Sequence, residues 1–264
     1  MTDINTQSKR LIIAHRGESF DAPENTLEAI QLAWKRDAAA VEIDIQLSLD
    51  NQIVVFHDLT TKRIGGRNKK VKKQTLSELR ELDVGIHKGD NWKNTTIPTL
   101  SEVLETVPGG KKIIIEIKSA AEIIPFLKSE IRSSKLKKEQ IEFISFNLPL
   151  IAEIKKTMPQ YKSLWLLNLD YLWINRIFPP NLKSIVYKTK KYKLDGLNVF
   201  AGTMLTPAFA KTIINSKLLL YTWTVNDPQR ATYLFNIGVD AVTTDKASFL
   251  KEECMAIDAK NVYF

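Results

Sequence analysis

Eight short apolar runs, rich in β-branched residues and separated by stretches of helical periodicity, constrain the fold more than any other feature of this chain. They are Leu11–His15, Ala40–Leu47, Lys112–Lys118, Ile141–Phe146, Ser163–Leu167, Gly196–Phe200, Leu218–Val225 and Val239–Thr243. Runs of this length read as strands, and strands that alternate with helix-sized segments build successive βα units and a parallel sheet. Such a sheet either lies open or closes on itself. Open sheets that bind dinucleotides carry a glycine-rich turn after the first strand, whereas Arg16-Gly17-Glu18 follows it here. The pattern therefore predicts an α/β fold, a closed (β/α)8 TIM barrel. Helix starts fall where a barrel needs them. Glu24-Asn25-Thr26 precedes Leu27, Ala29, Ile30 and Ala33, and Asn226-Asp227-Pro228 opens a later helix; both read as ordinary capping.

Two intervals break the rhythm. From Asp58 to about Gly110 the chain is too long for one βα connection and shows only local helix signals, such as Ser77–Leu82 and Ser101–Leu104, so 58–110 reads as a small insertion within one domain spanning 1–264. A length of 264 residues suits a single barrel. The second long connection, Asn168–Asp195, carries Tyr171, Leu172, Trp173, Ile174, Ile177 and Phe178, which read as a packed helix in preference to a lipid-contacting surface. Cys254 is the sole cysteine, so no intrachain disulfide or paired-thiol metal knuckle can form. No run of about 18 apolar residues is present, and Leu11–Ala14 is too short for a signal segment, so no transmembrane segment and a cytoplasmic location are expected. The net charge of +8 comes from small lysine groups at 69–73, 135–138 and 188–193, which read as a solvated surface; nucleic acid is not an expected partner.

In a parallel barrel the functional side chains come from the C-terminal ends of strands. Polar residues at those ends are His15-Arg16-Gly17, Glu42-Ile43-Asp44 and Glu116-Ile117-Lys118. Residues two apart on a strand share a face, roughly 7 Å apart, so Glu42 and Asp44 point together, away from Val41, Ile43 and Ile45. Three carboxylates in a barrel mouth need neutralising. A hard divalent cation with oxygen ligands, Mg2+ or Ca2+, would do this, and so would a network of Lys and Arg ion pairs; composition does not choose between them. His15 and His57 both end strand-like runs and could act as general acid and base near neutral pH. His87 lacks such company and reads as solvated surface. Arg16 and Lys118 suit an anionic substrate, or the same carboxylates in its absence.

In order along the chain stand I-I-A-H-R-G (12–17), E-N-T (24–26), V-E-I-D-I-Q-L-S (41–48), V-V-F-H-D (54–58), I-P-T-L (97–100), I-I-I-E-I-K (113–118), S-F (145–146), W-T-V-N (223–226) and T-D (244–245). The ordered set closely resembles the glycerophosphodiester phosphodiesterase family, which is similar to the phosphatidylinositol phospholipases C. The resemblance implies a TIM barrel with an inserted subdomain after the second strand region. It also implies metal-dependent hydrolysis of glycerophosphodiesters to glycerol 3-phosphate and an alcohol. By the same matching, His15 and His57 would be the acid and base, and Glu42, Asp44 and Glu116 would hold one divalent ion, Mg2+ or Ca2+, with Mn2+ as a further candidate. Arg16 and Lys118 would hold phosphate, while Phe146 and Trp223 would line the glycerol or leaving-group side, or serve as barrel packing. Lys62-Arg63-Ile64-Gly65-Gly66-Arg67 is more basic than the family pattern, and no proline follows Asp245 closely. A lysophospholipase D acting on lysophospholipids is the related alternative. A non-catalytic barrel binding a phosphate ligand or nucleic acid is the alternative from another class.

Overall fold

The computed structural model describes residues 10–170 and 181–261. Eight parallel strands close into a barrel: β1 (Leu11–His15), β2 (Ala40–Leu47), β4 (Lys112–Ile117), β5 (Ile141–Ser145), β6 (Lys162–Leu167), β7 (Gly196–Phe200), β8 (Leu219–Trp223) and β9 (Ala241–Thr244). The ring closes because β1 pairs with both β2 and β9. A short strand, β3 (Ile53–Val55), lies antiparallel on β2 and stands outside the ring. The expected strands are all present, three with the expected bounds and the rest with ends displaced by at most two residues. At β8, Trp223 is the last residue paired with β7 before the chain turns so that the Val225 N–H donates to Thr243 O at 2.9 Å.

Alternation along each strand divides the core. Val41, Ile43 and Ile45 on β2 and Ile113, Ile115 and Ile117 on β4 face outward and pack against Ile30 and Ala33 of α1 (Leu27–Lys35), whose first turn is capped by the Thr26 hydroxyl accepting from Ala29 N. Ile13, Ala40, Ile114, Ile144, Leu164 and Tyr221 point into the barrel and fill it. Two residues further along the same strands, that parity delivers His15, Glu42, Glu116 and Trp223 to the C-terminal mouth.

The interval 58–110 divides in two. Up to Thr99 it contains α2 (Lys62–Gly65), α3 (Leu76–Arg80) and several 3-10 turns around a separate apolar cluster of Val54, Phe56, Ile64, Val71, Leu79, Leu82, Val84 and Ile97. From there α4 (Leu100–Thr106), opened by a Thr99/Glu102 capping box, returns to the barrel wall and buries Leu100, Val103 and Leu104. The apolar stretch 171–178 lies outside the described residues. Among the described residues no helix is long and apolar enough to cross a membrane.

Candidate active site

The site begins with strand register. His15 stands opposite Glu42 across the β1–β2 pair, and Asp44 stands opposite Glu116 across the β2–β4 pair. Adjacent parallel strands thus bring residues from distant parts of the chain to one level of the barrel mouth. One oxygen from each of Glu42, Asp44 and Glu116 lies within 4.8 Å of the others, and all three residues are buried.

The turn after β1 adds the first cation. Arg16 and Gly17 have positive φ, 56° and 85°, and a Cβ on Gly17 would lie 2.5 Å from the Ala29 carbonyl carbon, so only glycine lets the turn press against the helix that follows. Arg16 Nε then sits 3.1 Å from Asp44 Oδ2, while its backbone N–H donates to Glu42 Oε2 at 3.2 Å. The second cation, Lys118, lies 2.6 Å from Glu116 Oε1 and 3.2 Å from Asp44 Oδ1. The ion-pair network anticipated as an alternative to a metal is therefore present, but it is one positive charge short for three carboxylates.

The titration of the three groups follows from that imbalance. Burial pushes Asp44 up, but Arg16, Lys118, His57 and the Asn25 amide outweigh it and hold the group at about 2. Glu42 goes the other way: burial, then the charges of Asp44 and Glu116, push it well above the usual carboxylate range. Burial and Asp44 likewise raise Glu116 to about 7, against the pull of Lys118. Glu42 Oε1 is buried and has no hydrogen-bond partner among the described residues. A buried, unpartnered oxygen in a set of oxygen-only donors is what a hard divalent cation would satisfy, so the three residues fit such an ion.

Both histidines are backed by carboxylates. His15 Nδ1 is 2.7 Å from Asp245 Oδ1. Asp245 also accepts from Asn226 Nδ2 at 2.8 Å and Ser19 Oγ at 3.3 Å. Burial opposes its ionisation, yet these bonds hold it at about 2. An ionised carboxylate can only accept, so Nδ1 of His15 carries the proton and Nε2 is left to face the site, 3.9 Å from Glu42 Oε2. His57 repeats the device, with Nδ1 2.6 Å from Asp58 Oδ1. Burial, with help from the charges of Arg16 and Lys118, pushes the His57 imidazole below its ordinary value, although Asp44 pulls the other way.

On the opposite side of the mouth the two aromatics meet. The rings of Phe146 and Trp223 are edge to face with centroids 5.6 Å apart, and Phe200 packs on Trp223 at 5.4 Å. Phe146 is 45% exposed, and Lys118 Nζ lies 5.9 Å from its ring centroid, which puts the pair beside the lysine. His87 is exposed on a 3-10 turn in the segment outside the barrel.

Several site residues went unassigned in the sequence. Only Thr26 of the E-N-T triplet caps the helix. Asn25, at a φ of 59° that asparagine tolerates, holds buried Asp44 through Nδ2 to Oδ2 at 2.9 Å and through its Oδ1, which accepts from Asp44 N at 3.1 Å. Glu24 accepts from Arg16 Nη1 at 2.8 Å. Asp58, Asn226 and Asp245 back the histidines directly or through one another, and Phe200 completes the aromatic wall. Apart from Phe200, which carried no signal beyond ending an apolar run, their signal was their place within the motifs, each adjoining or close to a residue that had been singled out.

Comparison with known proteins adds an independent line. The model of the glycerophosphoryl diester phosphodiesterase family matches residues 15–248. A glycerophosphodiester phosphodiesterase from Caldanaerobacter subterraneus subsp. tengcongensis is 30% identical over 242 residues, covering 90% of this chain and 94% of that protein. Among solved structures, a phosphodiesterase from Oleispira antarctica, in complex with the product sn-glycerol-3-phosphate, is similar with a TM-score of 0.82 at 28% identity, covering 92% of this chain and 96% of that one. A glycerophosphodiester phosphodiesterase from Thermotoga maritima has a TM-score of 0.75 at 28% identity, covering 92% and 97% respectively.

Proposed function

The chain belongs to the glycerophosphoryl diester phosphodiesterase family, and on that premise we propose that its barrel mouth hydrolyses glycerophosphodiesters to glycerol 3-phosphate and an alcohol. It is an enzyme of the phosphoric diester hydrolase class. The observation that carries the reading is the juxtaposition at one barrel mouth of a carboxylate trio short of one positive charge and two carboxylate-backed imidazoles. Mg2+, Ca2+ or Mn2+ held by Glu42, Asp44 and Glu116 would supply Lewis-acid stabilisation of the charge on phosphoryl oxygen.

The remaining work falls to the chain's own side chains. Arg16 offers the phosphate a planar fork of N–H donors, and Lys118 a point charge beside it. Their present partners are the carboxylates, so substrate phosphate takes over bonds that already exist. One imidazole takes the proton of the nucleophile at Nε2. The other gives its proton to the departing alkoxide as the P–O bond breaks, so charge does not accumulate on either oxygen. The nucleophile is water, or the glycerol hydroxyl of the substrate itself; the latter gives a cyclic phosphate that water then opens. Asp245 and Asp58 keep each Nδ1 protonated and each ring oriented through the cycle. Phe146 and Trp223, with Phe200, offer an apolar wall to the glycerol carbons or the leaving group.

The test is release of glycerol 3-phosphate from glycerophosphocholine and glycerophosphoethanolamine, first in EDTA and then with each divalent ion restored. Release that depends on the ion is expected. Folded protein that releases none with any ion, or that acts faster on lysophosphatidylcholine, would overturn the substrate assignment.

A further inference from the structure

Arg63 stands on α2, in the segment outside the barrel, with its side chain half exposed. Its guanidinium nevertheless makes four hydrogen bonds to two carboxylates. Nε and Nη2 donate to Asp58 at 2.6 and 3.1 Å, and Nη1 and Nη2 donate to Glu24 at 2.9 and 2.7 Å. Those two carboxylates are the ones that hold the reactive groups. Asp58 Oδ1 lies 2.6 Å from His57 Nδ1, and Glu24 Oε1 accepts from Arg16 Nη1 at 2.8 Å. The backbone that carries Arg63 is itself pinned, because the next residue, Ile64, is buried in the apolar cluster with Val71, Leu79 and Leu82.

A half-exposed ion pair ordinarily contributes little to stability, so stability is a poor account of this arrangement. A planar guanidinium bonded on two edges fixes the relative placement of its acceptors, which a flexible ammonium cannot do. We propose that Arg63 is a positioning residue that sets the His57 imidazole, through Asp58, and the Arg16 guanidinium, through Glu24, in one geometry, so that the segment outside the barrel aligns proton transfer with phosphate binding. This inference rests on the roles given to His57 and Arg16 above. Arg63 acts on the orientation of the acid–base and phosphate groups, and it reaches the metal-ligating trio only at one remove, through Arg16.

Arg63→Gln and Arg63→Lys test this in the full-length protein. Both are expected to lower kcat by about 10- to 100-fold, the usual size for loss of an orienting partner. Melting behaviour and Mn2+ affinity by calorimetry should stay near wild type. Added guanidinium ion should restore part of kcat to Arg63→Gln, because the vacated site is open to solvent. Arg63→Gln combined with Asp58→Asn should lose less than the product of the two single losses, because with Asp58 gone only the arm through Glu24 is left to lose. Independently of turnover, 15N-edited NMR should show the His57 Nδ1 proton protected from exchange in wild type and exposed in Arg63→Gln. Wild-type kcat in both variants, an unchanged His57 resonance, or full activity in Arg63→Lys would each overturn the proposal. Were the wild type to hydrolyse no glycerophosphodiester, the functional reading would fail while the resonance still decided whether Arg63 holds His57.

Discussion

Replacing Glu116 by Gln is expected to make the metal-free protein more stable, the reverse of what removing one partner from a buried ion pair usually does. Glu116 sits at about 7 in the folded chain instead of 4.5, because burial and Asp44 disfavour its charge more than Lys118 favours it. A raised carboxylate adds no penalty below pH 4.5; the penalty grows across the window from 4.5 to 7 and is complete above it. At about 1.4 kcal/mol for each tenfold change in proton affinity, the full penalty is about 3 kcal/mol. The glutamine amide carries no charge and escapes it, and Lys118 keeps Asp44 as a partner at 3.2 Å. Urea denaturation in EDTA should therefore show Glu116→Gln more stable than wild type by up to about 3 kcal/mol at pH 8 and about equal to it near pH 4. Saturating divalent ion should reverse the order. A ligand at a thousandfold its Kd stabilises by about 4.1 kcal/mol, more than the penalty, and the variant has lost one of three ligands. A variant less stable than wild type at pH 8 in EDTA would refute the reasoning and make the trio a structural ion-pair network.

Three further outcomes are expected. Metal binding near pH 6.5 should release protons, since Glu42 and Glu116 are raised while Asp44, at about 2, has none to give; calorimetry in buffers of different ionisation enthalpy measures the number, and zero release would contradict the raised values. His15→Ala and His57→Ala should each lower kcat by roughly 10²-fold to 10⁴-fold with metal affinity preserved, and near-normal turnover in either would remove that residue from proton transfer. Asp245→Asn should lower kcat by roughly 10²-fold or more without unfolding the protein, because the amide can donate to His15 Nδ1 and favour the wrong tautomer; unchanged kcat would show that Asp245 does not set it.

What could be read from the sequence followed periodicity. The eight runs announced the strands, and alternation within them placed Glu42 with Asp44 and Glu116 with Lys118 on inward faces, because side-chain direction on a strand is fixed by parity. His15 and His57 were visible as polar endings to apolar runs. The partners of those residues were harder to find. His15 and Asp245 are 230 positions apart and meet only because the last strand closes against the first. Glu24 and Asn25 were hidden by a competing local explanation, since residues ahead of an amphipathic helix are ordinarily caps, and Thr26 does cap this one. Arg63 lies on a four-residue helix with no periodicity to orient it, and only the tertiary contact of that segment with the barrel mouth brings it to Glu24 and Asp58. Phe200 ends a strand as one apolar residue among many, and its place beside Trp223 follows from the β7–β8 register.

The central claim is that Glu42, Asp44 and Glu116 hold a divalent ion beside a phosphate carried by Arg16 and Lys118. Anomalous diffraction from crystals grown with Mn2+ and glycerol 3-phosphate tests it most directly. A single anomalous peak among the three carboxylates is expected, with Lys118 withdrawn from Glu116 and phosphate oxygens on Arg16 and the lysine. No peak among them, with Lys118 still bridging Asp44 and Glu116 and the phosphate elsewhere, would contradict it.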